Sequence, residues 1–185
     1  VFIVLAGYCL YISFQNIQIL DSKEKYLTYL KKRAKKSLVI GVFAIVISFI
    51  SYILYPEEFI RFGILHFIAL GTVLLSVVAP SKILTIITGI FLVIYQFPSI
   101  HPSVDTVTGS KGWYNMMDWF PLQRWLPILL IGVLVGQYTE PDLFKSVPFL
   151  QKETMITKVG ENSLDFYIGH FVVFMLLSKM FSVTK

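Results

Sequence analysis

A polytopic bundle of transmembrane helices, about six of them in this chain, is the fold the sequence predicts, and three observations predict it. The 185 residues are 56% hydrophobic and only 15% charged, where a soluble domain keeps roughly a quarter of its residues charged. The apolar residues gather in runs of about 15 to 20, near the length that a ~30 Å hydrocarbon core requires. The charges sit in a few clusters between those runs.

Six runs are expected to span: Val1–Phe14, Leu38–Tyr55, Gly63–Ala79, Ile83–Phe97, Trp125–Tyr138 and Leu164–Phe181. The first begins abruptly at Val1, with no basic leader and no small-residue cleavage site, so it is not read as a signal peptide. At least one further helix is expected upstream of it. Cys9, the lone cysteine, is expected to be a packing residue and excludes an internal disulfide or a thiolate metal site.

Between Asp21 and Ser37 lie Lys23, Lys25, Lys31, Lys32, Arg33, Lys35 and Lys36, seven of the 16 basic residues. By the excess of lysine and arginine in cytoplasmic loops, this segment lies inside the cell. Pro56–Phe62 and Pro98–Arg124 then lie outside, and Pro80–Lys82 and Thr139–Gly160 inside, so the inner segments hold eleven basic residues against five elsewhere. Lys23–Lys36 has helical spacing, with Tyr26, Leu27, Leu30 and Ala34 on one side. It reads as a cytoplasmic extension of a membrane helix near anionic headgroups. A functional reading stands beside that one: Lys31, Lys32, Arg33, Lys35 and Lys36 would draw an anionic cytosolic substrate such as a nucleotide-bearing acyl donor. The basic residues are explained by topology, and no nucleic-acid partner is expected.

Leu38–Tyr55, whose polar residues are Ser48 and Ser51, and Ile83–Phe97, which carries Gly89 and Gln96, are given only packing roles. Gly63–Ala79 differs because it carries His66 about a turn into the helix. Gly63, His66, Phe67 and Leu70 fall at i, i+3, i+4 and i+7, so the histidine is expected to share a face with a glycine that admits a neighbour. A histidine at this depth faces a bundle interior or a wet cavity, as base, nucleophile or hydrogen-bond anchor. The plain alternative is a ring donating to a nearby carbonyl. Arg61 is an interfacial anchor, or a partner for an anionic group.

The external segment mixes His101, Asp105, Lys111, Trp113, Tyr114, Asn115, Asp118, Trp119 and Arg124. Such residues hold polar, sugar-like ligands, or form an aromatic belt at the interface. Asp118, just ahead of Pro121, is placed over the external opening of the bundle. Gly132 and Gly136 form a small-xxx-small spacing, suited to tight helix packing and to contacts in a homo-oligomer or membrane complex. In the last run, Ser163, Tyr167 and His170 stand at i, i+4 and i+7 and are expected to form one inward polar stripe. It has no Ser/His/Asp triad spacing. The lack of a dense His/Glu/Asp pattern makes a catalytic metal unexpected.

Phe62-Gly63-Ile64-Leu65-His66-Phe67-Ile68, then Asp118-Trp119-Phe120-Pro121-Leu122 leading to Gly132 and Gly136, then Gly160, Ser163-Leu164, Tyr167 and His170 follow one another in this order. So arranged, the chain resembles the bacterial and archaeal membrane proteins related to the catalytic domain of heparan-α-glucosaminide N-acetyltransferase. The resemblance extends to Val1–Tyr8, similar to that family's second helix, while its first helix has no counterpart here.

What the resemblance implies is a single acyltransferase-like domain in a prokaryotic cell membrane. It would take an acyl group from cytoplasmic acyl-CoA and deliver it to an acceptor, such as a sugar, on the far side. His66 and His170 are then expected in a shared cavity with Asp118 at its mouth, as the catalytic candidates. Arg61, Trp119, Arg124, Ser163 and Tyr167 are the substrate-binding candidates. Because the sugar-acetylating animal enzyme lacks a histidine at the position of His66, that role is not inherited by position. Two further classes stay open: a structural subunit of a membrane complex, and a transporter or flippase. Against the transporter class, the sequence has no inverted repeat and no matched pair of broken helices.

Overall fold

Each apolar run folds as a helix because backbone groups among apolar side chains must bond within their own segment. The computed structural model describes residues 2–17, 22–110, 116, 118–139 and 163–183, and these are all-α. Its helices are α1 (Phe2–Gln15), α2 (Ser22–Leu54), α3 (Ile64–Ser76), α4 (Lys82–Ile94), α5 (Pro102–Thr108), α6 (Leu122–Tyr138) and α7 (Ser163–Val183). The segment beyond Thr139, with Lys145, Lys152 and Lys158, lies outside the described residues, as do Lys111, Trp113, Tyr114 and Asn115.

The basic segment and the second apolar run are one unbroken helix of 33 residues, α2, roughly 50 Å long at 1.5 Å per residue. Among the described residues, α2 is the helix long and apolar enough to cross a membrane; α1, α3 and α4 are apolar but shorter. In the polar half of α2, Tyr29 is fully buried and Leu27 is 56% exposed. The packed face therefore runs through Tyr26, Tyr29, Leu30 and Arg33, not through Leu27 as expected. Tyr29 sets it by donating to the Leu10 carbonyl at 3.2 Å and meeting Phe14 edge-on at 5.3 Å.

The core forms where α1 and α6 cross. A Cβ on Gly132 would collide with the Val4 carbonyl oxygen, and one on Gly7 with that of Leu129. At Gly136 the fit is close but looser, a Cβ there lying 3.1 Å from the Tyr11 side chain. The small-xxx-small face expected to serve packing or oligomer contacts is thus occupied by α1 of the same chain. Cys9, expected to pack, is exposed, because Gly7, Tyr8 and Leu10 take the buried side of α1.

Helix α3 lies antiparallel to α2. The Ser37 hydroxyl donates to the Ala69 carbonyl, and near the other end Tyr26 reaches the carbonyl of Val77. On α7, Tyr167 and Phe171 pack against Ala44, Ile47, Ile60 and Leu65.

Gln137, buried on α6, donates to the Ala79 carbonyl at 2.7 Å and the Thr85 hydroxyl at 2.9 Å. It thereby ties α6 to the turn between α3 and α4. Gln137→Ala strips the buried Ala79 carbonyl of this donor and is expected to cost about 1–3 kcal/mol. Thermal unfolding in detergent measures it, and an unchanged midpoint would remove Gln137 from the account of stability.

Candidate functional site

The site is built at the start of α3 by the segment ahead of α6 folding back on it. The Phe120 N–H donates to the Phe62 carbonyl at 3.0 Å, and the Asp118 carboxylate accepts the Ile64 N–H at 3.0 Å. Asp118 so satisfies one of the orphan donors in the first turn of α3. Gly63 makes room for it, since a Cβ there would strike the carboxylate oxygen. The glycine beside the histidine admits a carboxylate, where the sequence suggested a neighbouring backbone.

The rest of the segment braces Asp118. Asp105 is fully buried on α5 and accepts from the Ser99 hydroxyl at 2.7 Å, the Ile100 N–H at 3.1 Å and the Ser110 hydroxyl at 2.8 Å. Gly109 ends α5 with φ of 84°, a left-handed conformation that favours glycine. The Trp119 indole donates to the Thr106 carbonyl at 2.7 Å, and Arg124 lies over the Trp119 ring at 5.7 Å. Trp119 and Arg124 thus form a stacked pair that secures the loop, outside the cavity described next.

His66 stands at the third position of α3. Its Nδ1 accepts the Gly63 N–H at 3.3 Å, as the glutamate or glutamine of a capping box would. Its Nε2 lies 3.4 Å from the Ser48 hydroxyl on α2, and its ring lies 5.8 Å from that of Phe62. Among the described residues the ring donates to no carbonyl. Phe67, placed on the same face by spacing alone, is fully buried toward the core while His66 turns to α2, so the expected face divides in two. The helix given only a packing role supplies Ser48, whose signal was its being one of the few hydroxyls in an apolar run.

His66, Asp118 and Tyr167 line one small cavity, walled by Ala44, Ile47 and Ile60. Its volume is about 10 Å³, room for one water-sized group. His66 also borders an open groove between α2 and α3 of about 460 Å³, lined by Ser37, Gly41, Ile45, Leu70 and Val73 among others. Burial pushes the Asp118 carboxyl above the usual carboxylate range, against the Ile64 N–H, which lowers it.

Other expected members lie elsewhere. His170 is exposed and is not among the cavity's lining residues, which corrects the expected shared cavity. Three residues on from Tyr167 it sits about 60° around the helix, while Phe171, a full turn on, keeps the packed face. Ser163 opens α7, and its side chain lies outside the described residues. Arg61 is exposed over the Phe59 ring at 5.0 Å, bordering a separate surface groove with Ser103 and Thr106. Lys31, Lys32, Lys35 and Lys36 are exposed, whereas the Arg33 guanidinium packs over Tyr29 at 5.8 Å. Among the described residues no three His, Cys, Asp or Glu gather as a metal site would need.

No curated protein and no solved structure matches the chain. Residues 1–172 match the family model described as heparan-alpha-glucosaminide N-acetyltransferase, catalytic. With residues 1–172 matched, nearly the whole length, the chain belongs to that catalytic-domain family.

Proposed function

We propose that this protein is a multi-pass membrane acyltransferase that takes an acyl group from cytoplasmic acyl-CoA and passes it to an extracytoplasmic acceptor such as a sugar. The observation that carries the reading is the family match over residues 1–172. A multi-pass arrangement is supported by apolar bands left uncovered on several helices. Val93 and Ile94 on α4 are each 75% exposed, Leu38 on α2 is 70%, and Phe174 on α7 is 67%. Such a belt suits lipid and is rare on a protein surrounded by water. The helices α3 and α4, at 13 residues each, are about 20 Å long, so the bilayer thins or the adjoining residues complete each crossing.

Topology divides the work. The polar half of α2 carries its exposed lysines on the cytoplasmic side, where they attract the donor's phosphates. One helix length away, the turn leading into α3 puts His66 and Asp118 near the outer face, where an acceptor arrives. Arg33 is committed to Tyr29, so the donor-attracting charge rests on Lys31, Lys32, Lys35 and Lys36.

The test is binding of labelled acetyl-CoA to the purified protein in detergent, with a chase for label retained on the protein or passed to water or added sugars. Saturable binding is expected. Replacing Lys31, Lys32, Lys35 and Lys36 together by glutamine is expected to weaken it at least tenfold and to flatten its salt dependence. Absence of saturable binding by the folded protein would sink the acyltransferase reading.

A further inference from the structure

We infer that His66 is the hydrogen-bond donor of this site, presenting Nε2–H to a carbonyl oxygen, and that Asp118 is the site's proton acceptor. The assignment begins at Nδ1. That nitrogen accepts the Gly63 N–H, which requires a lone pair there, so the ring is neutral and its one proton sits on Nε2. A protonated imidazole has no lone pair at either nitrogen and cannot make this bond. The fold thus selects the tautomer through the helix's own capping geometry.

Among the described residues, the neighbour at Nε2 is the Ser48 hydroxyl at 3.4 Å, too long for a strong bond. The N–H is therefore available to a better acceptor. A base must offer a lone pair, and the lone pair of His66 is held by backbone. The acceptor role falls to Asp118, which shares the cavity. One of its oxygens, Oδ2, takes the Ile64 N–H, and Oδ1 has no hydrogen bond among the described residues.

A single small cavity thus places an N–H donor and a carboxylate side by side. That pairing suits a group whose oxygen gains negative charge while a neighbouring atom loses a proton. The cavity takes only the reacting tip, and His66 also borders the open groove between α2 and α3.

The identity of the ligand rests on the acyl-transfer reading, whereas the tautomer does not. In that reaction the acceptor's oxygen or nitrogen bonds to the thioester carbonyl carbon as its proton passes to Asp118. The carbonyl oxygen takes the π pair beneath the His66 N–H. When the double bond re-forms, the carbon–sulfur bond breaks, and the thiolate leaves with the proton that Asp118 held.

The experiment has two arms. In the first, protein carrying ¹⁵N-histidine in lipid nanodiscs is studied by long-range ¹H–¹⁵N correlation, with the His66 signals identified by their loss in His66→Gln. A pyridine-like Nδ1 and a pyrrole-like Nε2 are expected, and the reverse pattern overturns the assignment. In the second, His66→Gln and His66→Ala are assayed for transfer from acetyl-CoA. The glutamine amide can present an N–H near the Nε2 position but cannot act as a base. His66→Gln is expected to keep activity within about tenfold, while His66→Ala falls about 10²–10³-fold, as for loss of an oxyanion donor. Equal loss in the two variants overturns the donor role. If the unaltered protein transfers nothing, the acyltransferase reading fails, and the nitrogen shifts alone decide the assignment of His66.

Discussion

Gly132→Val is expected to disrupt the α1–α6 core severely. At the crossing of α1 and α6, a Cβ on Gly132 lands on the Val4 carbonyl oxygen and lies 3.0 Å from Cα of Gly7. These are backbone atoms, which cannot rotate aside as a side-chain end can. Relief requires the two helices to move apart, opening the layer that holds Leu10, Leu129 and Val133, all fully buried. The cost therefore exceeds the ~3 kcal/mol at the upper end of ordinary overpacking. Thermal unfolding in detergent, followed by tryptophan fluorescence, reads the effect.

Gly41→Ala is the informative control. Its added Cβ would meet nothing nearer than the Ala69 Cβ, at 3.9 Å. Removing a glycine from the interior of a helix is then worth roughly 0.5–1 kcal/mol in favour of the fold. A Gly132→Val protein that melts with the unaltered one would mean that α1 and α6 do not cross at these glycines.

Asp118→Asn and Asp118→Ala separate the two tasks of one carboxylate. Asparagine retains an oxygen for the Ile64 N–H, and alanine does not. Asp118→Ala is accordingly expected to lose about 1–2 kcal/mol of stability, in the range of a lost helix cap, while Asp118→Asn loses less. Both are expected to lower acyl transfer about 10²–10⁴-fold, the usual worth of a positioned proton acceptor. Transfer that survives in Asp118→Asn would remove the carboxylate from proton transfer and leave it as a cap.

The direction of the Asp118 pKa adds a pH test. Because burial raises it, the fold favours the protonated form. The associated stability is fully present below the ordinary carboxylate pKa and is lost as pH rises through the raised, folded-state value. Activity runs the other way, since the acceptor must be deprotonated. The acid limb of the rate profile is therefore expected above the ordinary carboxylate range, and it should vanish in Asp118→Asn.

How much of this was legible without coordinates depended on how local the cause was. The all-α class followed from apolar runs, and the six expected runs correspond to α1, α2, α3, α4, α6 and α7 to within a few residues at their described ends. The exception is α2, whose polar half joined its apolar half because no proline or glycine interrupts Ser22–Ile40. The short α5 was not read, since its stability comes from Asp105 gathering donors and from the turn at Gly109, and neither has a period. The place of Asp118 before Pro121 suggested a position over an opening of the bundle, yet its bond to Ile64 spans 54 residues and has no sequence signal.

The histidines mark the boundary. Spacing alone put Ser163, Tyr167 and His170 on one stripe and His66 on one face with Phe67. A helical wheel fixes the angle between residues on one helix but not which angle meets a neighbour. Packing made that choice, turning His66 to Ser48 on α2 and Phe67 to the core, and half-burying Tyr167 while leaving His170 exposed. By itself the sequence determined the helices, the segregation of charge, and the family to which their motifs belong, because these depend on periodicity and composition. Only the tertiary structure decided which polar groups meet and which nitrogen of His66 is left to act, because those depend on contacts between residues far apart in the chain.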